Sequence, residues 1–303
     1  MSRGRSRSKP GAFRRVLLVF LAVSAGVAVY RTCGRRAPER AKAPPPRPPS
    51  GPSPAPARSP EARPSGVPAG FEAAGEVRRG LVAVVLDDVG YKEGALQLLA
   101  TLDAPIALSV LPGTPKASEA IALARRKGWD LMVHLPMQPE SGRAEADSIG
   151  VGDDDAVIRD RVLAALAAVP GAIGLNNHQG SLATADERVV RDVLAVVKER
   201  RLFFLDSRTT PATAVGRLAR EMGVPVLSRD VFLDDAAAEA KDAGGTPGAL
   251  EAAWERALAL AAKKGHAVVI AHPHRETVEF LLRKLPELSR TGPLPVRVAE
   301  LLD

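Results

Sequence analysis

Histidine and aspartate residues gather at the carboxyl ends of short apolar segments along this chain. The polar groups that follow such segments are Asp87-Asp88, His134, Asn176-Asn177-His178, Asp206, and His272 with His274. One carboxylate and two imidazoles form a ligand set that suits zinc or a related divalent ion. A second carboxylate beside such an ion can act as general base, and a further histidine can protonate a leaving group. Asp87, Asp88, His134, His178 and His272 supply one residue for each of these roles, which indicates metal-assisted hydrolysis.

Some of these residues also have a purely structural explanation. His134 could be a core histidine whose hydrogen bonds are satisfied, Asp206 could accept hydrogen bonds from the backbone that follows it, and His274 could lie at the rim. An Asp87-Asp88 pair after a buried strand is different, because burying two carboxylates is costly unless something pairs with them. This pair therefore points most strongly to function.

Strand and helix patterns alternate from residue 80 to the end of the chain. Strands are predicted at 81–86, 106–111, 130–135, 173–175, 202–205, 224–227 and 267–271, with helical patterns between them. This alternation predicts about seven parallel strands with helices outside, arranged as a small or incomplete barrel. A doubly wound open sheet is the competing architecture. In both folds the active site forms at the carboxyl ends of the strands, where four of the five histidines fall.

Charge and motifs exclude several classes of protein. Residues 1–79 contain 16 Lys and Arg against 4 Asp and Glu, whereas residues 80–303 contain 26 against 31. A nucleic-acid-binding domain would carry positive charge on its folded body, so nucleic acid is not expected as a partner. With Cys33 as the single cysteine, any metal must be held by His, Asp or Glu. No G-x-G-x-x-G follows the first strand and no G-x-S-x-G is present, which argues against dinucleotide binding and a serine nucleophile.

The N-terminal region predicts a location outside the cytoplasm. Residues 1–15 form a basic flank, residues 16–30 an uncharged apolar run, and residues 31–79 a linker with 12 prolines between positions 37 and 70. A basic flank before an apolar run is typical of a signal anchor or a signal peptide. We favour a retained inner-membrane anchor, because the more basic flank stays in the cytoplasm. A cleaved signal peptide is the alternative, and in both cases residues 80–303 would lie in the periplasm.

Five motifs, in order along the chain, resemble those of the divergent polysaccharide deacetylase family. They are Leu-Asp-Asp-Val-Gly-Tyr (86–91), His-Leu-Pro-Met (134–137), Gly-Leu-Asn-Asn-His-Gln-Gly-Ser (174–181), Phe-Leu-Asp-Ser-Arg-Thr-Thr (204–210) and Ala-His-Pro-His (271–274). The resemblance spans about residues 80–302. It implies a deformed (β/α) barrel that uses a divalent metal, here expected to be zinc, to remove N-acetyl groups from an envelope polysaccharide such as peptidoglycan.

The resemblance also implies roles for individual residues. Asp87 resembles the base, Asp88 the first metal ligand, His134 a histidine ligand, and His272 the acid that protonates the leaving group. Ordinary members carry a second metal histidine four residues after the first, where this chain has Gln138. We infer that His178, from the next strand, replaces it. The remaining candidates are expected to bind substrate or to support these residues: Asn176, Asn177, Asp206, Arg208 and His274.

Two other functions stay open at this point. The chain could be a non-catalytic envelope module that binds glycan or protein on a retained barrel, and Gln138 is the residue that favours this reading. A glycosidase with paired carboxylates would instead cleave the glycan without needing a metal. The aromatic content of 4% weakens that alternative, because few rings are present to stack on sugars.

Overall fold

The computed structural model describes residues 80–91, 93–145, 147–234 and 247–302. The basic flank, apolar segment and linker predicted within residues 1–79 lie outside these ranges, so those boundaries stay predictions. In the ranges that are described, no helix is both long and apolar enough to cross a membrane.

The described strands form one sheet in which every pairing is parallel. They are β1 (Leu81–Val89), β2 (Ala107–Val110), β3 (Asp130–Met137), β4 (Gly174–Gln179), β5 (Phe203–Asp206), β6 (Val226–Ser228), β7 (Val231–Phe232), β8 (His266–Ala271) and β9 (Leu294–Val296). Their order across the sheet is β6-β5-β4-β3-β2-β1-β8-β7, and β9 pairs with β1. All seven predicted strands are present, and the two that the sequence pattern missed, β7 and β9, have only 2 and 3 residues.

The sheet curves round so that its two ends meet. β6 and β7 lie at opposite ends of the strand order, yet only Arg229 and Asp230 separate them in sequence. The Arg229 amide donates to the Asp206 carbonyl in β5, and the next amide, Asp230, donates to the Val268 carbonyl in β8, both at 2.9 Å. Two consecutive residues therefore connect the two ends of the sheet. This geometry confirms the deformed (β/α) barrel and excludes the open sheet.

The helices pack against the outer surface of the barrel. They are α1 (Glu93–Leu99), α2 (Ala117–Lys127), α3 (Asp155–Ala168), α4 (Glu187–Glu199), α5 (Val215–Met222), α6 (Pro247–Lys264) and α7 (Arg275–Thr291). In α4 the buried residues recur every three or four positions, from Val189 to Val197, and form one apolar stripe facing the strands. The Asp186 side chain accepts a hydrogen bond from the Val189 amide and caps the start of this helix.

Side chains alternate between two cores along each strand. In β1, Val82 and Val84 pack with the helices, whereas Ala83 and Val85 belong to the cluster inside the barrel. The same alternation puts a set of polar residues on the inward side near the carboxyl ends of the strands: Asp87, Ser109, His134, Asn176, His178 and His272. It puts Asn177 and Asp206 on the outward side.

The amino end of the barrel is closed by the C-terminal part of the chain. β8 pairs along most of one edge of β1, while β2 pairs from Val85 onward and β9 pairs with Leu81–Ala83. β9 therefore fills a gap that β2 leaves. Val296 and the following Val298 join the interior cluster, and the Ala299 amide donates to the Asp130 carboxylate at 3.0 Å. With this end filled by apolar side chains, the polar residues are left at the other.

Candidate metal centre and active site

A bulge at the end of β1 brings both adjacent aspartates to the site. The register of β1 against β2 shifts between Leu86 and Val89, and Asp88 has a φ of 54°, in the left-handed region. Consecutive side chains of a regular strand point to opposite faces. Here His134 Nε2 lies 3.8 Å from Asp87 Oδ2 and 3.1 Å from Asp88 Oδ1. The left-handed backbone costs on the order of 1–3 kcal/mol, and such strain is concentrated at functional sites.

Three side-chain atoms that could donate to a metal ion form a nearly equilateral triangle, called the donor triangle below. Asp88 Oδ1 lies 3.1 Å from His134 Nε2 and 2.9 Å from His178 Nδ1, and these two nitrogens are 3.1 Å apart. Ligand distances of about 2.0–2.2 Å place neighbouring ligands of a zinc ion roughly 3 Å apart. Asp88 Oδ1 is buried, yet it makes no hydrogen bond of acceptable geometry despite these short contacts. The three side chains therefore fit a divalent metal ion.

The charge state of Asp88 also suits a metal ligand. Burial acts to raise the pKa of this carboxyl. The imidazoles of His134 and His178 lower it by more, through their short contacts with the carboxylate and through their charge when they are protonated. The net result is a pKa well below the usual range of an aspartate. Asp88 is therefore ionised at neutral pH, as a carboxylate ligand must be.

Asn176 connects the metal-ligand set to Asp87 and fixes the tautomer of His134. Its Oδ1 accepts a hydrogen bond from Ser109 Oγ at 2.5 Å and lies 2.9 Å from His134 Nδ1. Its Nδ2 donates to Asp87 Oδ1 at 2.8 Å and to Asp87 Oδ2 at 3.0 Å. Because an amide oxygen can only accept, His134 carries its proton on Nδ1. In the neutral ring that metal binding requires, the lone pair would then lie on Nε2, which faces the centre of the triangle.

Asp87 has the environment of a general base. It is 2% exposed, and its burial raises its pKa above the ordinary value, although the charges of His134 and His272 and the hydrogen bond from Asn176 oppose this shift. A carboxylate whose pKa is raised holds a proton more readily than one in water. The two hydrogen bonds from Asn176 also fix the orientation of the carboxylate beside the donor triangle.

His272 faces the same centre from β8 and is paired with Asp234. Its Nδ1 lies 3.0 Å from Asp234 Oδ1, while Asp234 Oδ2 accepts hydrogen bonds from the His272 amide at 2.8 Å and from Thr277 Oγ1 at 3.1 Å. Its Nε2 lies 4.0 Å from Asp88 Oδ2. Burial alone would lower the pKa of His272, but Asp234 outweighs it and raises the pKa to about 9. The imidazole is therefore cationic at neutral pH and has a proton to donate.

Two further residues, Asp234 and Ser109, support the site. The sequence makes Asp234 and its neighbour Asp235 candidates in the loop before the long helix, without assigning a role to either. Asp234 follows β7, whose 2 residues are too short to be recognised as a strand from the sequence. Ser109 is the single polar residue within the predicted strand 106–111, at an inward position. That isolated hydroxyl in an apolar run is a signal that sequence reasoning could have used.

Gln138 occupies the position of the missing histidine and has a structural role. Its Oε1 accepts a hydrogen bond from the Val151 backbone amide at 3.0 Å, and the backbone amide of Gln138 donates to the Ile149 carbonyl at 2.8 Å. Gln138 thus organises the loop after β3. The distance of 2.9 Å between His178 Nδ1 and Asp88 Oδ1 supports the inference that His178 supplies the third ligand, which stays a prediction.

Asn177 and Asp206 hold loops together on the outward side of their strands. Asn177 Oδ1 accepts from the Ser207 amide at 2.9 Å, and its Nδ2 donates to the Gln179 carbonyl at 2.7 Å. Asp206 accepts from the Arg208 amide at 2.8 Å and from Thr213 Oγ1 at 3.0 Å. Burial raises the pKa of Asp206. These contacts explain both residues without any part in the chemistry.

The other two candidates lie nearer the surface. Arg208 is exposed and has a φ of 50°, and no described contact joins it to the donor triangle. His274 is half-buried and precedes α7 as its N-cap residue. With Asp234 and His272 it forms a second Asp-His-His group whose ligand atoms lie within 4.8 Å of one another.

A cavity of about 260 Å³ opens beside the site. It is lined by Asp88, Val89, Gly90, Tyr91, Leu96, His272, Pro273 and His274. Its walls are mostly apolar but include the Asp88 carboxylate and the imidazoles of His272 and His274, so it can hold a small acyl group beside these polar groups. A larger cavity of about 550 Å³ lies against α3 and the outward-facing Leu135, away from the donor triangle.

Comparisons with known proteins cover most of the part of the chain that the structure describes. Residues 84–302 match the family model described as divergent polysaccharide deacetylase. The chain is 36% identical over 210 residues to an uncharacterized protein of Haemophilus influenzae, a match that covers 68% of this chain and 72% of that protein. Identity to the uncharacterized protein YibQ of Escherichia coli is 34% over 206 residues, 68% of this chain and 62% of YibQ.

The fold is shared with a protein of known structure. An uncharacterized protein of Agrobacterium tumefaciens has a crystal structure that superposes with a TM-score of 0.69, covering 77% of this chain and 92% of that one. The two sequences are 21% identical, so this likeness shows the fold alone.

Proposed function

The chain belongs to the divergent polysaccharide deacetylase family, and we propose that it is a metal-dependent hydrolase that removes N-acetyl groups from a cell-envelope polysaccharide such as peptidoglycan. One observation carries this proposal: an unsatisfied carboxylate oxygen and two imidazole nitrogens converge beside a buried carboxylate and opposite a cationic histidine. This arrangement offers ligands for a metal ion, a general base and a general acid, which are the groups that amide hydrolysis would use.

Asp88, His134 and His178 would hold the metal ion. Two imidazole nitrogens and one carboxylate oxygen are a ligand set that suits zinc and leaves positions open for substrate. A bound zinc ion would lower the pKa of water and polarise the acyl carbonyl.

Asp87 and His272 would move the protons. Asp87 takes a proton from the attacking water as the water oxygen bonds to the acyl carbon. Asn176 keeps both oxygens of the Asp87 carboxylate in place. His272 gives its proton to the amide nitrogen as the C–N bond breaks, while Asp234 orients the ring. The products are acetate and a free amine on the sugar. The mostly apolar cavity beside Asp88 and His272 would hold the methyl group.

The test is acetate release from peptidoglycan fragments and from N-acetylglucosamine oligomers. We expect acetate from the zinc-loaded protein and none after removal of the metal with a chelator. Glycan binding without acetate release would contradict the proposal in favour of a binding module. Shortened glycan chains that form without metal would instead identify a glycosidase.

We further propose that the domain works in the periplasm, held by an uncleaved anchor at residues 16–30. The basic residues before this segment and the proline-rich linker after it support the proposal. Alkaline phosphatase needs an oxidising compartment, so a fusion after residue 79 should be active and remain with the membrane fraction. An inactive fusion would contradict the location, and an active but soluble one would show that the segment is cleaved.

A further inference from the structure

A buried nitrogen of the site has no hydrogen-bond partner among the residues that the structure describes. His178 directs Nδ1 towards Asp88 and His134, while its Nε2 is buried and unsatisfied. If Nδ1 binds a metal, Nε2 must carry the proton of the neutral ring. A buried donor without an acceptor costs about 1–3 kcal/mol, so this proton needs a partner.

The other two site histidines already have such a partner. His134 has Asn176 Oδ1 at 2.9 Å from its second nitrogen, and His272 has Asp234 Oδ1 at 3.0 Å. In metal sites the second nitrogen of a ligating histidine usually donates to a carboxylate or a carbonyl, which fixes the ring and raises the basicity of the ligating atom. Of these three histidines, His178 alone lacks this contact.

A carboxylate is close to the unsatisfied nitrogen. Glu145 lies in the loop between β3 and α3, and its Oε1 is 4.0 Å from His178 Nε2. A hydrogen bond requires about 2.7–3.2 Å, so an approach of roughly 1 Å would form it.

Two hydrogen bonds tie this loop to the end of β4. The Glu140 amide donates to Ser181 Oγ at 2.8 Å, and Gln179 Nε2 donates to the Arg143 carbonyl at 3.3 Å. Within the loop, the Ser148 amide donates to the Glu145 carbonyl at 3.3 Å. Glu145 is therefore held on the side of the ring where an acceptor is missing.

We propose that Glu145 is a positioning residue for metal binding, because it accepts a hydrogen bond from the Nε2–H of His178. The inference rests on the proposed metal site and deepens it. Metal binding by His178, the ligand inferred to replace the usual histidine, then depends on the loop between β3 and α3, which supplies no ligand itself. Loss of such a supporting partner lowers metal affinity by about 10–100-fold.

The experiment compares Glu145→Ala with Glu140→Ala in the full-length protein. Both variants remove one carboxylate from the same loop, but Glu140 has no described contact with His178. The zinc dissociation constant is measured by competition with a chelator, and the melting temperature of each metal-free protein checks that it is folded. We expect zinc binding to weaken by about 10–100-fold in Glu145→Ala and to be unchanged in Glu140→Ala.

A spectroscopic measurement distinguishes positioning from a general structural effect. In the zinc-loaded protein, a slowly exchanging imidazole N–H proton of His178 should be visible by NMR and should be lost in Glu145→Ala. Equal zinc affinity in Glu145→Ala and the unmodified chain would overturn the inference and leave the metal site standing. Failure of the unmodified chain to bind zinc would overturn both together.

Discussion

Two Asp-His-His groups lie at the same end of the barrel, and they differ in what their carboxylates already bind. In the group of Asp88, His134 and His178, Asp88 Oδ1 is buried without a hydrogen bond. In the group of Asp234, His272 and His274, both oxygens of Asp234 are occupied by His272 and Thr277. Residue types alone would make both groups equally good metal sites. The unsatisfied oxygen of Asp88 indicates that the first group binds a ligand. The satisfied oxygens of Asp234 indicate that the second group holds His272 in place as an acid.

The largest expected effect concerns Asp87, whose charge interacts with histidines of both groups. Asp87→Asn keeps the shape of the side chain but cannot accept the proton of water. We expect turnover to fall by about 10²–10⁴-fold, the usual contribution of a general base. Zinc content should be unchanged, because Asp87 is not a ligand. Acetate release and metal analysis on the same sample provide the check, and a fully active variant would refute this role.

A shift in pH dependence should follow from Asp234→Asn. His272 has a pKa of about 9 because Asp234 outweighs the effect of burial, so turnover of the unmodified protein should fall as pH rises through about 9. Without the negative charge, the protonated ring is less favoured and its pKa falls. The alkaline limb should therefore move down by up to about two pH units, towards the ordinary histidine value.

The control for this shift is Thr277→Val. It removes one hydrogen bond to Asp234 Oδ2 but leaves the charge beside His272, so the alkaline limb should stay near its original position. Zinc content should be retained in both variants. An alkaline limb that does not move in Asp234→Asn would argue that His272 is not the proton donor.

The smallest effect on activity is expected from Asp206→Ala, on the outward side of β5. The variant removes the acceptor of the Arg208 amide and of the Thr213 hydroxyl. We expect the free energy of unfolding to fall by roughly 1–3 kcal/mol, measured by urea denaturation, with turnover of the folded protein unchanged. If turnover fell as far as in Asp87→Asn, Asp206 would belong to the chemistry after all.

Much of the site could be predicted because the barrel imposes simple rules. Parallel strands bring their carboxyl ends to one side, and this rule alone gathers Asp87, His134, His178 and His272. Applied strictly, the alternation of side chains along a strand would also have placed Asn177 and Asp206 on the outward side, away from the site. Each is one residue from an inward position.

How three other residues reach the site has no reliable signal in the sequence. Asp88 reaches the site only through a bulge and a φ of 54°, which period-two alternation cannot anticipate. The position of Asp234 is set by the 2-residue strand β7, which begins directly after the two residues that hydrogen-bond to β5 and β8. Glu145 acts from a loop, where spacing carries no information about distance to His178. Local pattern predicts regular strands well, whereas these three positions are set by tertiary structure.

The most direct test is the zinc content of the purified protein beside three histidine variants. We expect near-stoichiometric zinc in the unmodified chain and in His274→Ala, and almost none in His134→Ala or His178→Ala. That pattern would establish a metal centre built from two neighbouring strands in the first Asp-His-His group. Loss of zinc in His274→Ala with retention in His178→Ala would place the metal in the other group, and absence of zinc from the unmodified chain after reconstitution would contradict the metal-dependent mechanism.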